Sequence, residues 1–125
     1  MYVVGIIDKK IYECITKNIL VEEVIITDNQ IQHIKERHPF DFERFSKYFK
    51  EIIGEPDYII ETTKPNTAII LKRIQGEGTV FKMVLRLISS SENREYKNSI
   101  ITFMKIDEKE WKRILRNKKV LYKRE

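Results

Sequence analysis

The chain has little of several things, and each scarcity excludes a class of function. Cys14 is the only cysteine among 125 residues, so no internal disulfide forms and nothing in the cysteine count calls for an oxidising compartment. Histidine is almost as rare: His33 and His38 are the only two. With one distant cysteine and scattered carboxylates, neither CxxC nor HExxH spacing occurs, and no metal site is expected. Of the four glycines, two sit in QGEG at 75–78, between strand-like runs with no helix to follow, so a phosphate-cradling loop and a nucleotide cofactor are not expected. No apolar run approaches the ~18 residues of a membrane span. The opening MYVVGII lacks the basic leader and small-residue cleavage pattern of a signal peptide. The expectation is a cytoplasmic protein with no membrane partner, or one delivered into a target cell by a separate carrier.

What the chain has is charge, unevenly placed. Residues 105–125 hold nine Lys and Arg against four acids, which equals the whole net charge of +5, while residues 1–104 hold fifteen of each sign. A basic end attracts polyanions over a Debye length of about 8–10 Å. Equally, such a run can be no more than a solvated helix face. The 42% hydrophobic content supplies a core, and the length suits one domain spanning 1–125.

Apolar periodicity organises that domain. Tyr2–Ile7 and Ile11–Ile15, joined by Asp8-Lys9-Lys10, suggest an N-terminal hairpin within residues 1–16. Thr27 or Asp28 can cap a helix through Arg37, which Pro39 ends by disfavouring helical geometry at His38. Asp41 is placed to cap a second helix carrying Phe42, Phe45, Phe49, Ile52 and Ile53, with Gly54 as its stop. Four strands follow at Tyr58–Glu61, Thr67–Arg73, Val80–Ile88 and Ser99–Ile106. KPN and QGEG between them favour antiparallel neighbours. Asp107 caps a final helix, and Val120–Tyr122 makes a short last strand or an extended tail. The expected fold is α+β: N-terminal helices packed on one face of an antiparallel sheet of about four strands, then a C-terminal helix and a short terminal strand.

Alternation sorts the strand residues onto two faces. One is nearly all apolar. The other is expected to carry Lys72, Lys82, Arg86, Ser99, Phe103 and Lys105 among apolar neighbours, a mixture that suits contact with phosphates and bases. An ordinary solvent-facing sheet with snorkelling cations is the bland alternative, preferred for Lys82 and Lys105. In the helix, His38 follows the apolar stripe of Ile31 and Ile34, whereas His33 lies nearer Gln30 and Arg37. From pattern alone the preferred roles are bland ones: a helix-end histidine bonding terminal carbonyls for His38, and a surface polar residue for His33.

IITDNQIQHIKERHP, a phenylalanine-rich helix, GEPDYIIETTKPNTAIILKRI, KNSIITFMKI and KKVLYKRE occur in that order. Together they resemble the phage-associated barnase–EndoU–colicin–RelE-like nucleases, over about residues 24–123. The resemblance implies metal-independent cleavage of RNA. It carries catalytic roles onto His33 and His38, Lys72, the hydroxyls of Ser99 and Thr102, and Tyr122, with His38 expected as the leading acid–base residue and His33 as its partner or a substrate-positioning group. Arg86, Arg37, Lys82, Phe103 and Lys105 are the substrate-binding candidates beside them. The expected product is a 2′,3′-cyclic phosphate, since RNA supplies its own nucleophile and needs only a base, an acid and cations around the phosphorane. Histidine suits the proton transfers because its reference pKa of ~6.5 lies near working pH.

The expected partners are RNA and, for a toxin or a phage or mobile-element effector, a cognate immunity or antitoxin protein. One difficulty stands: simple alternation puts Thr102 on the core face, opposite Ser99, unless a bulge intervenes. The rival readings are a non-catalytic nucleic-acid-binding module, and a protein-interaction domain that uses the SSSENREYK loop and the basic tail.

Overall fold

The computed structural model describes residues 1–89 and 96–125. The SSSENREYK loop falls largely on residues 90–95, outside the described residues. Among the described residues, seven strands build one mixed sheet. They are β1 (Tyr2–Ile6), β2 (Glu23–Ile26), β3 (Tyr58–Glu61), β4 (Thr67–Ile74), β5 (Thr79–Arg86), β6 (Asn98–Ile106) and β7 (Val120–Lys123), in the order β1-β2-β6-β5-β4-β3-β7. Only β2 and β6 run parallel. The four strands expected from alternation are β3 to β6, and three more extend the sheet at both ends, correcting the expected count of about four.

The N-terminal hairpin does not form. Asp8-Lys9-Lys10 offers no residue suited to the left-handed positions of a tight hairpin turn. Instead the Asp8 carboxylate accepts from the Lys10 N–H at 2.9 Å and caps the short helix α1 (Lys9–Tyr12). β1 therefore pairs with β2 across the α1 excursion.

Helix α2 (Asp28–Arg37) begins at a capping box in which the Thr27 side chain accepts from the Gln30 N–H and the Gln30 side chain answers the Thr27 N–H. It stops at His38, ahead of Pro39. The expected second helix is broken into α3 (Asp41–Phe45), a 3-10 turn at Ser46–Tyr48 and α4 (Phe49–Gly54). Its N-cap is Phe40, held at φ 74°, not Asp41. The Asp41 carboxylate is used elsewhere: it accepts from the Lys105 N–H at 3.0 Å. That bond pins the α2–α3 corner to the edge of β6 beyond the short β2, whose pairing with β6 stops at Ser99.

Both sheet faces are covered, one of them only in part. On the first face Phe45 and Phe49 of the helices meet Phe81 and Phe103 of the sheet, with ring centroids 4.8 and 4.7 Å apart. Here α4 presses so closely on β1 that a Cβ on Gly5 would stand 2.9 Å from Ile53 Cδ1. On the second face α5 (Glu108–Asn117), capped by Asp107 as expected, lays Trp111 and Ile114 over Ile60, Ile69, Leu71, Val80 and Ile106. Helices on both faces correct the expected single helical layer. The end of the second face that carries Arg86 stays outside this α5 cluster.

Candidate functional site

Two register details decide which side chains share that open end. The loop Gln75–Gly78 places Ile74 opposite Thr79, so every even residue of β4 faces an odd residue of β5. Lys72 therefore stands opposite Phe81 on the helix-packed face, while Lys82 stands opposite Leu71 on the other. In β6 a bulge at Ile101 inserts one residue between the pairs Leu85–Ile100 and Val84–Thr102. The insertion shifts alternation by one and brings Thr102 onto the same face as Ser99, which resolves the difficulty raised by the sequence.

The result is a compact group. Ser99 lies directly across from Arg86, and Thr102 across from Val84, the next outward-facing position of β5. Direct cross-strand pairs have Cβ atoms about 4.5–5.5 Å apart, and successive same-face positions are about 7 Å apart along a strand. Arg86, Val84 and Ile101 line a cleft of about 530 Å³ whose other wall is Lys64, Pro65, Asn66 and Thr67. Hydrogen bonds stiffen that wall: Thr62 Oγ1 is bonded to the Thr67 carbonyl at 2.8 Å, and Thr67 Oγ1 donates to the Pro65 carbonyl at 3.0 Å. Asn66 adopts a left-handed φ of 55°, which asparagine tolerates better than most residues. Its carbonyl accepts from the Leu87 N–H at 2.7 Å, tying the turn to the end of β5. The sequence reading took KPN as a turn and missed these wall residues; the left-handed requirement on an Asn between two strands was the available signal.

Four expected site residues, Lys72, Phe103, Tyr122 and Lys105, lie elsewhere. Lys72 is 2% exposed, and its ammonium donates to the Glu55 carbonyl at 2.6 Å, with Asp57 and Glu51 carboxylates at 3.5 and 3.9 Å. Phe103 is wholly buried, stacked on Phe81, because the bulge that turns Thr102 outward turns Phe103 inward. Tyr122 sits opposite Ile59 on the outermost strand and packs against the helix-side core. Four inter-strand steps separate β7 from β6, about 19 Å along the sheet. Lys105 is exposed but shares the parity of Phe103, at the α3 corner. Lys82 does lie on the cleft's face, where it helps Arg113 hold the Glu110 carboxyl below its ordinary range, the Arg113 hydrogen bond being the larger cause.

The histidines diverge. Ile31 and Lys35 of α2 look toward β1 and α3, lining a groove with Tyr2, Val4 and Phe42. Helical spacing then leaves His33 and Arg37 on the opposite flank, both exposed. His38 is half-buried at the helix end, its N–H donating to the Ile34 carbonyl at 2.7 Å. Five residues of helix separate the two imidazoles by about 140° around the axis and 7.5 Å along it.

A basic, hydroxyl-bearing cleft on a helix-backed sheet fits a nucleic-acid enzyme, and the comparison with known families agrees. The profile of the phage-Barnase-EndoU-ColicinE5/D-RelE like nuclease 2 family, PBECR2, matches residues 5–123. The chain belongs to this family. No curated protein and no solved structure matches it.

As a PBECR2 nuclease the chain acts on a nucleic-acid substrate. The matched span begins at Gly5, so it takes in the end of β1, α1 and β2, well ahead of Val24, where the resemblance began in the sequence. No described helix of this PBECR2 chain is long and apolar enough to cross a membrane.

Proposed function

We propose that the protein is a metal-independent endoribonuclease whose active site is the cleft between β6 and the β3–β4 turn, completed by the outer flank of α2. The observation that carries this reading is the bulge at Ile101, which sets Ser99 and Thr102 beside Arg86 on one open face. In this reading the Arg86 guanidinium and the two hydroxyls hold the phosphate and the charge that grows on its oxygens, an electrostatic contribution of about 2.7–4 kcal/mol for one well-aimed donor. The 2′-hydroxyl attacks phosphorus, the 5′ oxygen leaves, and a 2′,3′-cyclic phosphate remains.

For the proton transfers, α2 runs beside the edge of β6 that β2 leaves unpaired beyond Ser99, from Thr27 near the Ile100 level to the corner pinned at Lys105. Six residues of helix, Thr27 to His33, advance about 9 Å, and the two residues of strand from Ile100 to Thr102 about 7 Å. In this reading His33 stands close to the level of Thr102. His33 is therefore the leading acid–base group, reversing the order suggested by the apolar stripe, and Arg37 one turn on tracks the backbone. His38 serves at the helix end, as the second proton-transfer group or in positioning. A neutralising immunity or antitoxin protein would offer carboxylates to Arg86 and Lys64.

The test is incubation of single-stranded RNA with wild-type, His33→Ala and His38→Ala proteins in EDTA, with product ends analysed for cyclic phosphate. His33→Ala should abolish cleavage while circular dichroism stays native. Loss on His38→Ala alone would restore the other order. Wild-type rates from both variants would remove the histidines from the mechanism, and cleavage only with added divalent metal would remove its metal independence.

A further inference from the structure

Of the aromatic candidates in the sequence, neither Phe103 nor Tyr122 reaches the cleft face. Another exposed ring stands at the α2–α3 corner. Phe40 is 69% exposed and belongs to neither apolar cluster. Its backbone lies in the left-handed region at φ 74°, a conformation that a bulky L-residue adopts only where its surroundings enforce it.

The enforcement is visible. His38 donates its N–H to Ile34 and accepts at its carbonyl from the Asp41 N–H at 3.1 Å. The Phe40 carbonyl accepts from the Arg44 N–H at 2.9 Å, and Asp41 is bonded to Lys105 of β6. A glycine or asparagine would meet every one of these backbone demands without strain. A phenylalanine here is therefore the wrong residue for the fold and an exposed ring at a fixed place.

Resting on the ribonuclease reading above, we propose that Phe40 is a stacking platform for an unpaired nucleobase of a single-stranded substrate. Base stacking on an exposed ring is sequence-tolerant and pairs naturally with cations that hold the backbone. Arg37 and Lys105, both exposed, flank the corner in sequence and in space. The Arg86–Ser99 rung and the Lys105 rung lie five residues of β5 apart, about 17 Å. The stacked base is thus not part of the dinucleotide being cut. The substrate class that follows is an extended single strand of several nucleotides.

The experiment uses three proteins (wild type, Phe40→Gly and Phe40→Trp) and two kinds of probe. Binding is read by fluorescence anisotropy with a labelled, uncleavable 2′-O-methyl single-stranded oligoribonucleotide and with the same sequence as a duplex. Cleavage is read on a dinucleotide and on an oligomer containing the same bond. Phe40→Gly should melt no lower than wild type, because it relieves the left-handed strain. It should bind the single strand about tenfold more weakly, equivalent to about 1.4 kcal/mol, raise KM for the oligomer, and leave the dinucleotide unaffected.

Phe40→Trp should keep the affinity, and the oligomer should quench the new indole. A Phe40→Gly protein that cleaves and binds the oligomer like wild type overturns the platform while the ribonuclease reading stands. A lowered melting temperature, or equal weakening toward the duplex, makes the ring a packing element and overturns it as well. A wild-type protein that neither binds nor cuts RNA ends both readings together.

Discussion

Replacing Lys72 with methionine separates structure from chemistry at the residue where pattern and coordinates differ most. The ammonium is buried, donates to the Glu55 carbonyl at 2.6 Å, and lies 3.5 Å from Asp57. Methionine keeps the apolar stem but leaves that carbonyl without its donor. A hydrogen bond from a charged group contributes about 1.5–3 kcal/mol. The pair with Glu51, whose side chain is 43% exposed, adds little, about 0–1 kcal/mol.

Asp57 does not become an orphaned charge, because it retains the Arg73 N–H at 2.8 Å and the Arg124 guanidinium at 3.7 Å. The penalty of about 3–5 kcal/mol for stranding a buried ion is therefore not reached. The expected cost is about 2–3 kcal/mol, which for a chain of this length lowers Tm by roughly 10 °C. Thermal melting followed by circular dichroism gives the first number. Cleavage of RNA well below the variant's transition gives the second, and it should be unchanged, since Lys72 points away from the cleft. An unaltered Tm with lost cleavage would refute the placement of the site on the opposite face.

At the cleft, Arg86→Ala should lower kcat by about 10²–10³, the usual loss for one donor to developing charge. Thr102→Val should lower it less, and a wild-type rate from Arg86→Ala would move the active site elsewhere. Tyr12 supplies a pH dependence: burial, the largest cause, pushes its phenol well above the ordinary 10.0, and the hydroxyl donates to the Ile53 carbonyl at 2.6 Å. The folded chain then holds this proton more tightly than the unfolded one. Its contribution is complete below pH 10.0 and is lost above it, at about 1.4 kcal/mol per pH unit. Tyr12→Phe should cost about 1 kcal/mol at neutral pH and flatten the alkaline loss seen in urea titrations; equal slopes for both proteins would refute the assignment.

The starts of α2 and α5 were readable because their signals are local: Thr27 with Gln30, and Asp107 with Glu110, lie within one turn of each other. The four central strands were readable from alternation for the same reason. What could not be read is pairing. β2 meets β6 through Val24–Asn98 and Ile25–Ser99, residues far apart in the chain, and nothing in EVII names a partner. The face of Lys72 was misjudged because alternation orders residues within a strand but says nothing of its register against the next. That register came from the four-residue loop Gln75–Gly78.

Thr102 shows why a site can be visible as residue types and hidden as geometry. NSIIT suggests hydroxyls, yet strict alternation would bury one of the two and split the pair. The bulge arises where β6 changes neighbours: β2 pairs with it up to Ser99, and the α2–α3 corner takes over by Lys105. The strand adjusts its twist between a ladder partner and a helical one, and the extra residue falls at Ile101 between them. Past the end of β2, α2 packs against β6. One short strand, β2, by ending where it does, thus sets the place of the bulge that turns a hydroxyl outward and, in the ribonuclease reading, opens the edge along which a histidine would reach it.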